Sequence, residues 1–352
     1  MDRRDFIRTC GLASASLFIG DSVLADPSSQ WKRMPQIKPI MGSWFEFIHG
    51  GSAEGKYWNP ALPKFTEAQW KAKIKEISET GMQYLVLMAV ANEGKTYYPS
   101  KLAPQHEYAC SDPLEAILSA ADECGIKFFV SNDFWGDWNS VSNMMTNKDV
   151  AKLREDSMAE IAEKYSHHKS FYGWYYPNET GIWNQFEDIA VNYVNRCTKV
   201  ARELMPHSVN LIAPYGTLST RLDGDKYAKQ LEKLDIDIVA YQDEIGVKKT
   251  KAGKAGKYFE ELYKVHAMVG RSRLWADMEV FKFEGPVYKS ALLPADFSRI
   301  LKQMEDISPY VEHILIYQYE GMMNKPGSTA FCGHPSSTKL YTDYMNWLKA
   351  QR

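Results

Sequence analysis

From Ile40 to the end of the chain, short apolar or aromatic runs alternate with longer stretches in which apolar residues recur every three or four positions. The runs read as strands and the longer stretches as amphipathic helices. Strands are expected over Ile40 to Phe47, Tyr84 to Val90, Lys127 to Asn132, Phe171 to Tyr176, Asn210 to Pro214, Ile236 to Gln242, Arg273 to Val280 and His313 to Tyr319. The helices between them have legible ends. Thr66 can cap one, with Gln69 at the capping-box position and Gly81 at its finish. Asp112-Pro113 opens the next, which closes at Gly125. Further helices are expected near Lys148 to Tyr165, Asn184 to Leu204, Asp225 to Leu234, Tyr258 to Val269, Pro294 to Ile307 and Thr338 to Lys349.

Eight strands alternating with helices predict a parallel sheet closed into a (β/α)8 TIM barrel, in a single domain. An open doubly wound sheet fits less well, because no glycine-rich phosphate loop follows the first strand. The length of 352 residues with 45% hydrophobic content suits one such barrel with loop insertions. No repeat of solenoid length interrupts the pattern.

The N-terminus is a different kind of sequence. Arg3 and Arg4 lead into Phe6, a weakly apolar stretch from Cys10 to Gly20, and Val23-Leu24-Ala25 ahead of Asp26. Charged region, apolar region and small-residue site follow one another as in a secretory signal. The paired arginines resemble a twin-arginine export signal. Residues 1–25 are therefore expected to be removed, leaving 26–352 as the barrel, in the periplasm or outside the cell. No other segment reaches the roughly 20 apolar residues of a membrane helix.

Charge narrows the partners. A formal net charge of -2, with both signs interspersed, gives no field to gather nucleic acid or an anionic membrane. The lysines at 248, 249, 251, 254 and 257 read as a solvated loop. Cys110, Cys124, Cys197 and Cys332 show no metal-ligand spacing, and no obligatory disulfide is expected. His49, His106 and His334 stand apart in loops, so no metal and no cofactor are assigned. Nothing in the sequence bears on oligomeric state.

In a parallel barrel the chemistry sits where strands end and βα loops begin. Those positions are polar here: Glu46, Asn132, Asp133, Asn178, Glu179, Tyr241, Gln242, Asp243, Glu244, Asp277, Glu279 and Glu320. Aromatics interleave them, among them Trp44, Trp135, Trp138, Trp174, Trp183, Trp275, Tyr317 and Tyr319. Carboxylates beside aromatics suit a carbohydrate, an oligosaccharide or polysaccharide whose ring faces stack while its hydroxyls are hydrogen-bonded. Core packing is the competing role for Trp174 and Trp275, which lie inside strands. Asp277 shares strand parity with Glu279 and is a second group or a rival to it. Asp243 and Glu244 form a competing acidic centre.

The fourth strand reads Phe171-Tyr172-Gly173-Trp174-Tyr175-Tyr176-Pro177-Asn178-Glu179, and the seventh Leu274-Trp275-Ala276-Asp277-Met278-Glu279-Val280. Each ends in a glutamate. In this the chain resembles the clan of retaining glycoside hydrolases built on (β/α)8 barrels, with an Asn-Glu pair closing the fourth strand and a glutamate closing the seventh. It also looks like an uncharacterised group of secreted bacterial barrel proteins with a similar Gly-Trp-Tyr run. The resemblance implies Glu179 as acid/base, Glu279 as nucleophile, Asn178 on the substrate's 2-hydroxyl and Tyr241 as a hydrogen-bond donor to Glu279. Trp44, Glu46, Asn132, Asp133, Trp135, Asp243, Trp275 and Tyr317 are expected to bind substrate. The chain departs from the clan at two places. Its eighth strand ends Tyr317-Gln318-Tyr319-Glu320 where many members have a tryptophan, and its first strand lacks the arginine often found near the nucleophile.

Two function classes remain. One is an exported glycosidase that retains configuration through a glycosyl-enzyme; the other is a non-catalytic glycan-binding barrel. Serine-nucleophile and phosphate chemistry lack their glycine turns.

Overall fold

The computed structural model describes residues 37–137, 139–182, 185–216 and 224–351. The expected signal segment, Trp138 and Trp183 lie outside them. Eight parallel strands close into a barrel: β1 (Ile40–Phe45), β2 (Tyr84–Leu87), β3 (Lys127–Ser131), β4 (Phe171–Tyr175), β5 (Val209–Ile212), β6 (Ile238–Gln242), β7 (Arg273–Glu279) and β8 (Ile314–Tyr317). β1 pairs with β8 to complete the ring, Ser43 standing opposite Ile316. The expected (β/α)8 fold is the one observed, and all eight strands fall where the hydrophobic pattern places them.

Helices surround the barrel: α1 (Glu67–Ser78), α2 (Pro113–Cys124), α3 (Lys148–Tyr165), α4 (Asp188–Leu204), α5 (Gly224–Lys233), α6 (Gly256–Val269), α7 (Phe297–Ile307) and α8 (Ser337–Ala350). The first two begin as their sequences dictate. Thr66 Oγ1 accepts from Gln69 N at 3.3 Å, while Gln69 Oε1 accepts from Thr66 N at 3.0 Å. Asp112 accepts from Glu115 N at 3.0 Å, and α2 ends at Gly125 with φ +69. Such caps satisfy amide groups that have no partner within the helix.

Two apolar layers follow from strand alternation. Trp44, Val86, Phe129, Tyr175, Leu211, Ala240, Trp275 and Leu315 fill the barrel, and the alternate residues pack against the helices. Gly173 explains the Gly-Trp-Tyr run, since a Cβ there would lie 1.6 Å from Val209 O on the neighbouring strand. Several short elements are additional to the expected pattern, among them a strand pair at Ala91–Asn92 and Lys95–Thr96 and a helix at Val141–Thr146. Beyond β7 the chain forms an antiparallel hairpin, Phe281–Phe283 with Leu292–Pro294, so α7 begins at Phe297 and not at Pro294.

Candidate active site

Glu179 lies just past β4, on a turn pinned to the end of β5 by Ile182 N donating to Tyr215 O at 2.9 Å. Two neutral donors hold its carboxyl: the Tyr175 hydroxyl on Oε1 at 3.2 Å and Gln242 Nε2 on Oε2 at 2.8 Å. Desolvation outweighs both and pushes the carboxyl up to about 7. A narrow, mostly apolar cavity of about 20 Å³ contributes to that environment, lined by Tyr176, Phe186, Val194, Ile212 and Glu179 itself.

Asn178, its neighbour, faces the other way. Its Nδ2 donates to Asp133 Oδ2 at 2.7 Å, and its Oδ1 is buried near the Tyr193 hydroxyl. Asp133 is fully buried and collects four donors: Phe134 N at 2.9 Å, Trp135 N at 3.1 Å, Asn178 Nδ2 and Arg154 Nε of α3. Arg154 is buried over the Tyr193 ring, 4.8 Å from its centroid. This ion pair ties the end of β3 to α3, and Asn178 ties it to the end of β4.

Glu279 ends β7 and is 5% exposed. Its Oε2 accepts from Val247 N at 2.9 Å, and its backbone N donates to Asp243 Oδ1 at 3.1 Å. Gln303 of α7 donates to Asp243 Oδ2 at 2.6 Å and to Glu279 O at 3.0 Å, and Arg299 Nη2 reaches the same carbonyl at 2.7 Å. Burial raises the proton affinity of both carboxyls; the charge of Asp243 adds to it at Glu279, while hydrogen bonds from Gln303 and Glu279 N oppose it at Asp243. Asp277 lies one inward position deeper, beside Gln242 in the strand register. Burial and the charges of Glu179, Glu279 and Asp243 drive its proton affinity far up, and its Oδ1 has no hydrogen-bond partner among the described residues, so its surroundings favour the protonated form.

Opposite Glu279 in the register stands Tyr317 of β8. Its hydroxyl donates to Glu46 Oε2 at 3.3 Å and lies 3.1 Å from His49 Nδ1. Glu46 also accepts from Trp58 Nε1 at 3.0 Å and from Gln318 Nε2 at 2.5 Å. Although desolvation disfavours its cationic form, Glu46 and Glu54 on either side of the His49 ring raise it to about 10. His49 is thus a buried cation. A second cation, Lys249, pairs with Glu244 at 2.7 Å, and Glu244 in turn accepts from Gly216 N at 2.9 Å.

With this geometry in view, a family profile described as a domain of unknown function, DUF4434, matches residues 40–330. The chain belongs to that family. Among solved structures, the DUF4434 chain is similar to a candidate alpha-L-fucosidase from Bacteroides thetaiotaomicron VPI-5482, at 15% identity and TM-score 0.70, covering 94% of this chain and 99% of that one. It is also similar to a glycoside hydrolase family 5 mannosidase from Rhizomucor miehei, at 13% identity and TM-score 0.52, covering 89% and 94%. An endocellulase from Pyrococcus horikoshii matches at 12% identity and TM-score 0.53, covering 89% and 92%. At these identities the likeness is one of fold, a barrel shared with glycoside hydrolases. A search of curated protein sequences finds no match.

Several expectations for the DUF4434 site need correction. Tyr241 faces the helices, because Gln242 takes the inward position; its hydroxyl lies 2.6 Å from that of Tyr227 and 2.8 Å from His266 Nε2, so it makes no bond to Glu279. Asn132 is outward for the same reason, its Nδ2 on Met158 Sδ at 3.6 Å. Trp275 packs low in the barrel, its Nε1 on Glu312 at 3.1 Å, and Trp44 lies beneath Tyr175, so neither ring is open to a sugar. Asp133, Asp243 and Glu46 are consumed by internal hydrogen bonds and position their neighbours. Asn178 gives one amide hydrogen to Asp133 and is 5% exposed. Trp135 is 7% exposed on the turn that Asp133 holds. His49 is not isolated, and Lys249 is not merely solvated. Arg154, Arg299, Gln303 and Tyr175 are additional to the expected set; the signal for Arg154 is a charge among the buried positions of α3, where Glu160 is another. Among the described residues, three potential metal donors come together at Glu115, His167 and His168, between α2 and the segment after α3, away from these strand ends.

Proposed function

We propose that the protein is an exported glycoside hydrolase acting with retention, with Glu179 as acid/base and Glu279 as nucleophile. The observation that carries this reading is the pair of buried carboxyls at the ends of β4 and β7, each held by its own donors. Glu179 is held by neutral donors and pushed up to about 7, as a group that must deliver a proton needs. Glu279 accepts a backbone N–H and lies in the field of Arg299 and Lys249, while burial and the charge of Asp243 still leave its proton affinity raised, so a bound substrate has to favour its carboxylate for attack. The surroundings of Asp277 favour its protonated form, which would remove one negative charge from beside Glu279.

In the reaction Glu179 would protonate the glycosidic oxygen as the Glu279 carboxylate forms a bond to the anomeric carbon and the leaving group departs. Water, deprotonated by Glu179, would then attack that carbon and release Glu279. Retention calls for the two carboxyls about 5 to 5.5 Å apart. One observation favours the second reading, a glycan-binding barrel without catalysis: the loop Glu244–Val247 lies against Glu279, and a Cβ on Gly246 would be 3.0 Å from its Oε2. Turnover on a panel of 4-nitrophenyl glycosides and polysaccharides, with wild type, Glu179→Gln and Glu279→Gln, separates the two. Hydrolysis lost in both variants supports the enzyme; glycan binding without hydrolysis, equal in all three, supports the binding barrel. Export would be seen as a periplasmic or secreted protein beginning at Asp26.

A further inference from the structure

The strand that carries Glu279 runs directly into the hairpin Phe281–Phe283/Leu292–Pro294. The hairpin is stiff. At its tip Gly285 N donates to Ser290 Oγ at 2.8 Å, Ser290 Oγ to Pro286 O at 2.9 Å and Lys289 N to Pro286 O at 3.1 Å. It is also tied to the loop after β1: Leu292 N donates to Glu54 O at 3.1 Å, and Glu284 receives the Tyr57 hydroxyl at 2.7 Å and the Lys56 ammonium at 3.3 Å.

On this tip sits Tyr288, 57% exposed and with φ +61. Left-handed backbone is costly for a bulky residue, and glycine would adopt it freely. An exposed ring recovers little of that cost by burial. Single exposed aromatics are ordinary, but a strained one on a braced hairpin is not, and local strain of this kind concentrates at functional sites. The ring is oriented by Phe283, edge-on with centroids 5.8 Å apart. Burial acts most on its hydroxyl, followed by the charges of Lys249, Glu279, Glu244 and Glu54, so it shares the field of the groups around Glu279.

We propose that Tyr288 is the stacking platform of a sugar subsite adjoining Glu279, taking the apolar face of a pyranose ring while the hairpin holds it rigid. The proposal rests on the hydrolase reading above and deepens it. It also supplies the exposed aromatic surface that Trp44 and Trp275, both buried, do not offer.

The test uses the full chain and whichever soluble tetrasaccharide the wild type hydrolyses among cello-, manno-, xylo- and galacto-series probes. Tyr288→Ala and Tyr288→Gly are expected to raise KM roughly three- to tenfold with kcat little changed, as loss of one ring contact implies. Tyr288→Phe keeps the wild-type KM. Tyr288→Gly also melts at the wild-type temperature or above, because it relieves the backbone. An unchanged KM in Tyr288→Gly overturns the platform and leaves the hydrolase reading intact. A lowered melting temperature in that variant overturns it too, by making the residue structural. A wild type that neither hydrolyses nor binds any of the four probes removes the platform together with the reading beneath it.

Discussion

Replacing Arg154 by methionine removes the cation from a buried pair and keeps most of the apolar stem. Arg154 and Asp133 are 1% and 0% exposed, so water cannot stand in for the lost guanidinium. Asp133 would keep three of its four donors, Phe134 N, Trp135 N and Asn178 Nδ2, yet remain a buried charge without a counter-ion. Breaking such a pair from one side costs about 3 to 5 kcal/mol, against a total stability of about 5 to 15 kcal/mol for a typical domain. The loss should appear as a large fall in the urea midpoint followed by tryptophan fluorescence. Adding Asp133→Asn removes the orphaned charge, and the double variant should recover at least half of the loss. The site would respond as well, since Asp133 holds the turn at Phe134, whose φ is +86. A cost under about 1 kcal/mol for Arg154→Met, or a double variant no more stable than the single, would refute the reasoning.

Other expectations follow from the same carboxyls. The folded proton affinity of Glu179 lies above its unfolded value of 4.5, so its contribution to stability is full below that pH and is lost as pH rises through about 7. Thermal melts from pH 5 to 8 should decline accordingly, and the decline should be shallower in Glu179→Gln. Gln242→Met deletes a donor to the charged form of Glu179 and should raise its proton affinity by roughly one pH unit, read from the carboxyl ¹³C titration in labelled protein. Asp277→Asn mimics the protonated form that burial favours, so at pH 7 the melting free energy should change by under about 1 kcal/mol, whereas an ionised, paired Asp277 would show a larger loss. The pH profile of kcat/KM should be a narrow bell with its maximum at or above pH 7, because both carboxyls are raised; a plateau from pH 4 to 6 would contradict their placement.

The barrel was legible because each strand is a compact apolar run and each helix announces its ends; Thr66 with Gln69, and Asp112 with Gly125, act in the structure as they read in the chain. Glu179 and Glu279 were legible for a related reason, as the acidic side chains where their strands run out. What could not be read was which face a residue takes where a strand runs out. A one-residue difference in register exchanges Tyr241 for Gln242 and turns Asn132 outward, since alternate residues lie on opposite faces. Contacts distant in sequence were hidden as well. Arg154 finds Asp133 across 21 residues, and Gln303 finds Asp243 across 60, pairings that only the closed barrel creates. Lys249 was obscured by the lysines around it. The hairpin after β7 left only a faint trace in the alternation of Phe281, Lys282 and Phe283.

The assignment of Glu279 as nucleophile is tested most directly by trapping. The wild type, incubated with a panel of 2-deoxy-2-fluoro glycosyl fluorides, digested and sequenced by mass spectrometry, should gain one glycosyl unit on the peptide spanning Leu274–Phe281, at Glu279, and Glu279→Gln should gain none. A label on Asp277 or Glu179, or steady turnover of a glycoside whose first-formed product is the inverted anomer, would contradict the account.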